Sequence, residues 1–353
     1  GGGGYSVVAF FDFSAPAQAV VDGVAVLDFQ QMHALYTKGA LDGVIVPREL
    51  FVSNFVPRMI YSGILPQNIY ITPRVIGKTL SEDEVSSFLT PYLSAKYLPY
   101  LEFHIADHCN LNCKACSHYS GLVTSPVFPS FDKFAKDMER LHHFIDDIAN
   151  IRILGGEPLL NPEVNKYVRL ARSFYPDAGL HVVTNALLLM QMNDDFFQTL
   201  RETVSQIDIS FYPPMEGKID AVQNFLREKG IPFSITPKIE KFRMIQTLKR
   251  SPAPDYFYRC WQASCHNLYD GKLAACFIPF TGKYFNARYH KDLPTDGAID
   301  LYDNALTTET LKTRLLEPFE RCRYCTDGIT VDWEQIKTPS PMSDWVIEGN
   351  ENH

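Results

Sequence analysis

The chain is 353 residues of 40.1 kDa, enough for one large domain with an appendage or for two to three small ones. Its 46% hydrophobic and 21% charged residues are those of a globular protein, while a net charge of −8 and a pI near 5.7 offer no basic surface to nucleic acid or an anionic membrane. No apolar run approaches the ~20 residues that cross a bilayer, and the chain opens on Gly1-Gly2-Gly3-Gly4 with no secretory signal, so its eight cysteines suit metal ligation in a reducing, cytoplasmic setting better than disulfides.

In chain order, residues 5–74 alternate short apolar runs with helical patterns. Val7–Phe11, Val24–Leu27, Val44–Val46 and Ile69–Ile71 read as strands, and Phe29–Lys38 and Glu49–Ser62 as helices. This alternation predicts a small α/β unit with a mostly parallel sheet. Phe11-Asp12 and Asp22-Gly23-Val24-Ala25-Val26-Leu27 resemble the strand and following turn of the Rossmann-like unit found at the N-terminus of sugar O-acetyltransferase-like proteins. That family's opening glycine-rich turn is missing here, so its phosphate cradle has no source, and the unit reads as a packing or substrate-orienting element.

Residues 75–98 read as a connector with one helix over Ser81–Leu93, started by a capping box of Ser81 and Glu84. Over residues 99–250 the patterns recur on a longer period. Strands are predicted at Leu101–Ala106, Ile151–Leu154, Leu180–Thr184, Ile207–Phe211 and Phe233–Thr236, with helices at Phe131–Ile148, Pro162–Phe174, Asp194–Val204 and Ile219–Lys229. Repeated βα units of this length close into a full or partial barrel, whose ligands collect at the C-terminal ends of the strands.

Just past the first of these strands stand Cys109, Cys113 and Cys116. Three thiols so close cannot all pair with one another as disulfides, and the spacing is neither that of paired zinc ligands nor of a four-ligand ferredoxin run. A four-iron cluster on three ligands keeps one iron open. One βα unit onward comes Gly155-Gly156-Glu157-Pro158, and the following strand ends in Thr184-Asn185.

Together these motifs resemble the radical S-adenosylmethionine (SAM) enzymes. The resemblance implies a partial (β/α)6 barrel, a [4Fe–4S] cluster on the three cysteines, SAM on its open iron, and a turn at Gly155, Gly156, Glu157 and Pro158 that receives the SAM amino group. It places Thr184 and Asn185 at the active site, with Ser210 reaching the SAM carboxylate or ribose. Each of these three equally suits a strand-end role satisfying nearby backbone. Where the family commonly has an aromatic residue before the third cysteine this chain has Ala115, which leaves adenine to Tyr119 or His118. Glu102 and His104 share one side of their strand, as substrate contacts inside the barrel or as part of an exposed face.

Residues 251–335 carry the other five cysteines, Cys260, Cys265, Cys276, Cys322 and Cys325, ahead of a tail over residues 336–353. Leu268–Cys276 reads as a hairpin turning at Asp270-Gly271. The pattern resembles the twitch extension, a shortened SPASM domain, and implies an auxiliary [4Fe–4S] cluster on four of the five thiols. Structural zinc suits the same four; the radical SAM motifs upstream favour iron–sulfur. Cys265 breaks the spacing. It is a ligand in place of another, a buried apolar residue, or a free thiol donating a hydrogen atom to a product radical.

The expected function is radical SAM chemistry on a small polar, sugar-related substrate, ending in oxidation or epimerisation and fed by a flavodoxin- or ferredoxin-type reductant. A ribosomally made peptide is the main competing substrate, although residues 5–74 lack the helix-plus-hairpin series of a peptide-recognition domain. A non-catalytic metal-binding protein is the competing class.

Overall fold

The computed structural model describes residues 8–11, 20–21, 24–46, 55–72, 89–336 and 340–348. The chain divides into two compact units, Gly1–Ala95 and Lys96–His353.

In the first unit, β1 (Phe10–Phe11), β2 (Val20–Val21) and β3 (Val24–Leu27) form one small sheet. After α1 (Phe29–Thr37), a second sheet contains β4 (Val44–Val46), β5 (Ile69–Ile71) and β6 (Thr90–Pro91), with α2 (Phe55–Tyr61) between β4 and β5. Among the described residues each sheet has one parallel and one antiparallel pairing, where the alternation predicts a mostly parallel sheet. Helix α1 starts where Asp28 accepts from Gln31 N at 2.8 Å and the Gln31 side chain accepts from Asp28 N at 3.0 Å, a reciprocal cap. The helix predicted over Ser81–Leu93 lies outside the described residues up to residue 88; beyond that, Thr90–Pro91 pair with β5 as a strand. Asp12, Asp22 and Gly23, which carry the acetyltransferase-like resemblance, also lie outside them.

The second unit is built on an eight-stranded sheet. Five strands run parallel and are joined by helices: β7 (Tyr97–His104), α3 (Phe131–Phe144), β8 (Asp147–Leu154), α4 (Val164–Phe174), β9 (Gly179–Thr184), α5 (Asp194–Glu202), β10 (Ser205–Ile209), α6 (Ile219–Glu228) and β11 (Phe233–Ile235). The sixth barrel position departs from expectation. β12 (Lys241–Gln246) leaves the sheet, and β13 (Asn267–Tyr269) instead adds parallel to the free side of β7, followed by the antiparallel β14 (Lys272–Ala274). After α7 (Ile278–Tyr289), β15 (Ile299–Asp300) closes that edge, and α8 (Thr308–Leu315) precedes β16 (Cys325–Asp332), the antiparallel partner of β12. The result is an open partial barrel whose edge is extended by a C-terminal hairpin.

Two-residue alternation gives this sheet two chemically distinct faces. Leu101, Phe103, Ile151, Ile153, Leu180, Val182, Ile207 and Ile209 point to the helices and are buried. Against them α3 sets Phe134, Met138, Leu141 and Phe144, spaced by helical turns, and such side chains contribute about 1.5–3 kcal/mol each on burial. The opposite face is polar and forms the inside of the open barrel.

The hairpin β13–β14 turns at Asp270-Gly271, where φ is +50° and +77°, as a two-residue type I′ turn requires. Gly271 N donates to Asp137 Oδ2 at 2.8 Å and Asp270 pairs with Lys133 at 3.0 Å, so the turn is fastened to α3. The supposed tail is also structural: Trp345 and Val346 are buried, and Ile347 N donates to Gln246 O at 2.8 Å.

Candidate functional site

The loop after β7 carries Cys109, Cys113 and Cys116, and two other segments grip it. From the C-terminal side, Lys114 N donates to Glu334 O at 2.9 Å, Ala115 N to Asp344 O at 2.7 Å, and Ile336 N to Asn112 O at 2.8 Å. Ala115 has φ of +58°, a left-handed conformation that this anchoring holds in place. From the barrel side comes the Gly155-Gly156 turn. Gly156 N donates to Ala106 O at 2.7 Å and Glu157 N to His108 O at 3.1 Å. A Cβ on Gly155 would lie 2.1 Å from Ala106 O, and one on Gly156 2.2 Å from His108 O. Glycine is required because backbone packs directly on the cysteine loop.

Glu157 is fully buried and joins three segments. Its Oε1 accepts from Thr184 Oγ1 at 2.7 Å and Leu159 N at 3.1 Å, and its Oε2 accepts from Asn185 N at 2.9 Å. Burial pushes the carboxyl up to about 7 against the pull of these donors. Asn185 then reaches the cysteine loop, its Nδ2 lying 2.8 Å from Asn110 Oδ1 and 3.8 Å from Cys109 Sγ, while Leu111 N is 3.4 Å from the same sulfur. Burial raises all three thiols, Cys113 to about 12, so they ionise only with a metal to stabilise the thiolates. Three thiols on one loop, with amide donors beside the first sulfur, fit an iron–sulfur cluster.

The polar barrel face lies next to this loop. Glu102 Oε1 accepts from Tyr100 OH at 2.5 Å and its Oε2 from Asn267 Nδ2 at 3.1 Å. Arg152 stands beside Glu102 in register on β8, and His181 beside Arg152 on β9. Asp208 accepts from Gln206 and Ser234 at 2.7 Å each and pairs with His181 at 3.1 Å and Arg152 at 3.5 Å. The Arg152 side chain remains 42% exposed, so this wall faces open space. Nearer the loop, His104 Nε2 and Asp107 Oδ1 are buried without hydrogen-bond partners, while Asp107 Oδ2 accepts from Tyr269 at 2.8 Å and from Tyr284. Burial lowers the His104 imidazole to about 4, keeping it neutral.

Cys260, Cys276, Cys322 and Cys325 line a single cavity with Tyr256, Phe257, Phe319 and Arg321. Cys265 is not on that lining. Among the described residues no three His, Cys, Asp or Glu side chains, those of the cysteine loop included, converge to hold a single ion. Cys265 is half-buried; burial raises its thiol well above the ordinary range, with Glu102 acting in the same direction.

The predicted site residues thus separate by role. The cysteine loop, Gly155–Pro158, Thr184 and Asn185 form one connected unit, in which Thr184 and Asn185 bond to Glu157, to backbone and to the cysteine loop, the strand-end role that the sequence offered equally with a place at the active site. Ser210 N is engaged by Thr184 O at 2.9 Å and its side chain is half-buried. Tyr119 is unsuited to adenine: it is fully buried, stacked on Phe285 at 5.1 Å, with its hydroxyl donating to Gln246. His118 packs edge-on against Phe277 at 4.0 Å. Glu102 and His104 lie on the barrel interior and not on an exposed face. Arg152, His181 and Asp208 escaped sequence reading, although each is the polar centre of an apolar–polar–apolar triplet in a predicted strand, a readable period-two signal.

Residues 103–212 match the model of the Radical SAM superfamily. The chain is 30% identical over 143 residues to GTP 3′,8-cyclase of Sulfurimonas denitrificans, covering 37% of this chain and 42% of that protein. It is 32% identical over 111 residues to 7,8-dihydro-6-hydroxymethylpterin dimethyltransferase of Methanocaldococcus jannaschii, covering 30% and 21%. The chain spans less than half the length of these curated relatives. Among solved structures it is similar to BtrN in complex with AdoMet and 2-DOIA, with a TM-score of 0.40 and 15% identity over 71% of this chain and 98% of that one. It is also similar to anSMEcpe with bound AdoMet, with a TM-score of 0.33 and 17% identity over 40% and 43%. The family match thus supports a radical SAM domain over residues 103–212, and that family implies a [4Fe–4S] cluster and SAM.

Proposed function

We propose that this chain acts by radical SAM chemistry on a small polar substrate bound against the polar inner face of the barrel, giving oxidation, and that Cys260, Cys276, Cys322 and Cys325 would hold a second cluster, which would supply an electron acceptor. The observation that carries the reading is the Glu157–Thr184–Asn185 network, which locks the cysteine loop to the strand ends bordering that face. Cys109, Cys113 and Cys116 would hold a [4Fe–4S] cluster, which when bound would supply the electron for reductive cleavage of SAM. The chain's residues then orient the substrate. Arg152 offers a half-exposed cation and Glu102 and Asp208 offer acceptors, while His104 stays buried and neutral beneath them. Loss of hydrogen from a C–H bond, followed by one electron and one proton, converts an alcohol or amine carbon to its oxidised form.

Epimerisation is the second reading, favoured by one observation: Cys265 is off the lining of the four-thiol cavity, although close enough to Cys276 and Cys260, as to Glu102, for their charges to raise its thiol further. A nucleotide substrate is suggested by the relatives named GTP 3′,8-cyclase, and a sugar-related one by the N-terminal resemblance. Anaerobic reconstitution with iron, sulfide, SAM and reductant tests the core proposal through release of 5′-deoxyadenosine; none released would reject it. With substrate supplied, solvent deuterium at the abstracted carbon marks epimerisation, and a product two electrons more oxidised marks dehydrogenation.

A further inference from the structure

We propose that Arg321 is a charge-compensating donor to the group held by Cys260, Cys276, Cys322 and Cys325, raising its electron affinity, and that Gln246 ties this arginine to the loop of Cys116. The inference rests on the reading that this cavity holds an iron–sulfur cluster. Arg321 is 1% exposed and lines the cavity beside the four thiols. Its Nη2 donates to Gln246 Oε1 at 2.8 Å and lies 3.5 Å from Tyr119 OH, both neutral acceptors. Its Nε is buried with no partner, and no carboxylate pairs with its guanidinium among the described residues. An arginine serving only to pack buries its stem and leaves its head in water; this head is buried too. A buried cation is costly unless an anion faces it, and the Tyr324 ring, 5.9 Å from the guanidinium carbon, supplies no anion. Four thiolates around a four-iron core bear net negative charge, larger when reduced, and supply that anion. By the same attraction the cation favours the reduced form.

The connection to the first loop runs through hydrogen bonds of one side chain. Gln246 ends β12 opposite Cys325 in register. Its Oε1 accepts from Arg321 and from Tyr119 OH, and its Nε2 donates to Ser117 O at 3.3 Å. Tyr119 N in turn donates to Cys116 O at 3.0 Å. One buried amide thus touches both cysteine-bearing regions.

The test isolates the C-terminal cluster by replacing Cys109, Cys113 and Cys116 with alanine and measuring its midpoint potential by EPR-monitored titration with dithionite. Arg321→Met is expected to lower the potential so that the reduced-to-oxidised ratio at fixed potential falls about tenfold, or 59 mV for one electron. Arg321→Lys, keeping charge without the Nε donor, is expected to fall between. An unchanged potential in Arg321→Met, with its cluster intact, overturns the inference alone. If Arg321→Met does not load iron, pulsed EPR on wild-type protein carrying 15N-guanidino arginine decides: a nitrogen coupling at the reduced C-terminal cluster supports the inference, and none overturns it. If the wild-type chain reconstitutes with about four irons where two clusters require about eight, the underlying reading fails, and the inference with it.

Discussion

Gly156→Ala is the sharpest test of how the cysteine loop is held. The added Cβ would lie 2.2 Å from His108 O, 2.5 Å from His108 C and 2.9 Å from Asp107 O, all backbone atoms that no rotamer change can move. Either the turn or the loop must shift by about 1 Å, at an overpacking cost of about 1–3 kcal/mol. The shift also breaks Gly156 N to Ala106 O and Glu157 N to His108 O, each contributing about 1 kcal/mol net. Together these give about 3–5 kcal/mol. For a unit of this size, at about 2–4 °C per kcal/mol, the melting temperature of the apo protein falls by roughly 6–20 °C. Differential scanning calorimetry measures it, with iron content after reconstitution as the second readout. Gly282→Ala is the control. It lies within α7 with only Thr295 Cγ2 near, at 3.3 Å, so removing a helical glycine offsets any crowding by up to ~1 kcal/mol. A Gly156→Ala protein that melts within 2 °C of wild type and loads iron normally would refute the backbone-contact argument.

The other predictions concern the two remaining parts of the site. Cys276→Ala is expected to halve the reconstituted iron while Cys265→Ala leaves it unchanged, as iron and sulfide assays would show; equal losses would put Cys265 among the ligands. Arg152→Met, which removes a half-exposed cation from the inner face, should leave thermal unfolding close to wild type and lower kcat/KM by roughly 10–150-fold, the kinetic equivalent of about 1.5–3 kcal/mol for a charged hydrogen bond. Burial of Asp208 is outweighed by hydrogen bonds from His181 and Ser234, which hold its carboxyl down at about 2. A depressed carboxyl gives its stabilisation in full above the unfolded value of about 3.9 and loses it as pH falls toward about 2. Urea unfolding of the apo protein across that window should therefore show a limb that Asp208→Asn flattens.

The spacing of Cys109, Cys113 and Cys116, the Gly155–Pro158 turn and Thr184-Asn185 could all be read without coordinates, because ligand type and glycine demand are local properties. The strand and helix order from residue 97 to 235 could be read for the same reason: each amphipathic segment announces its own period. The ends of the unit could not. β12 has the apolar content of a sixth barrel strand, yet it pairs with β16, eighty residues on, and the choice depends on partners the local pattern does not contain. The buried place of Trp345 and Val346 beneath the cysteine loop is equally non-local.

Chemistry followed the same division. Five C-terminal cysteines are equivalent ligands in the sequence, and only the chain's path decides that four line one cavity while Cys265 lies off its lining. Tyr119 is suitably placed in sequence to hold adenine, but packing with Phe285 and Trp345 spends it in the core. Sequence alone carried the motifs that resemble a radical SAM site, since those are matters of identity and short spacing. Which side chains line the polar inner face, and that Arg321 lies buried beside the second cysteine group, was decided by tertiary structure, because burial and pairing arise only when distant segments meet.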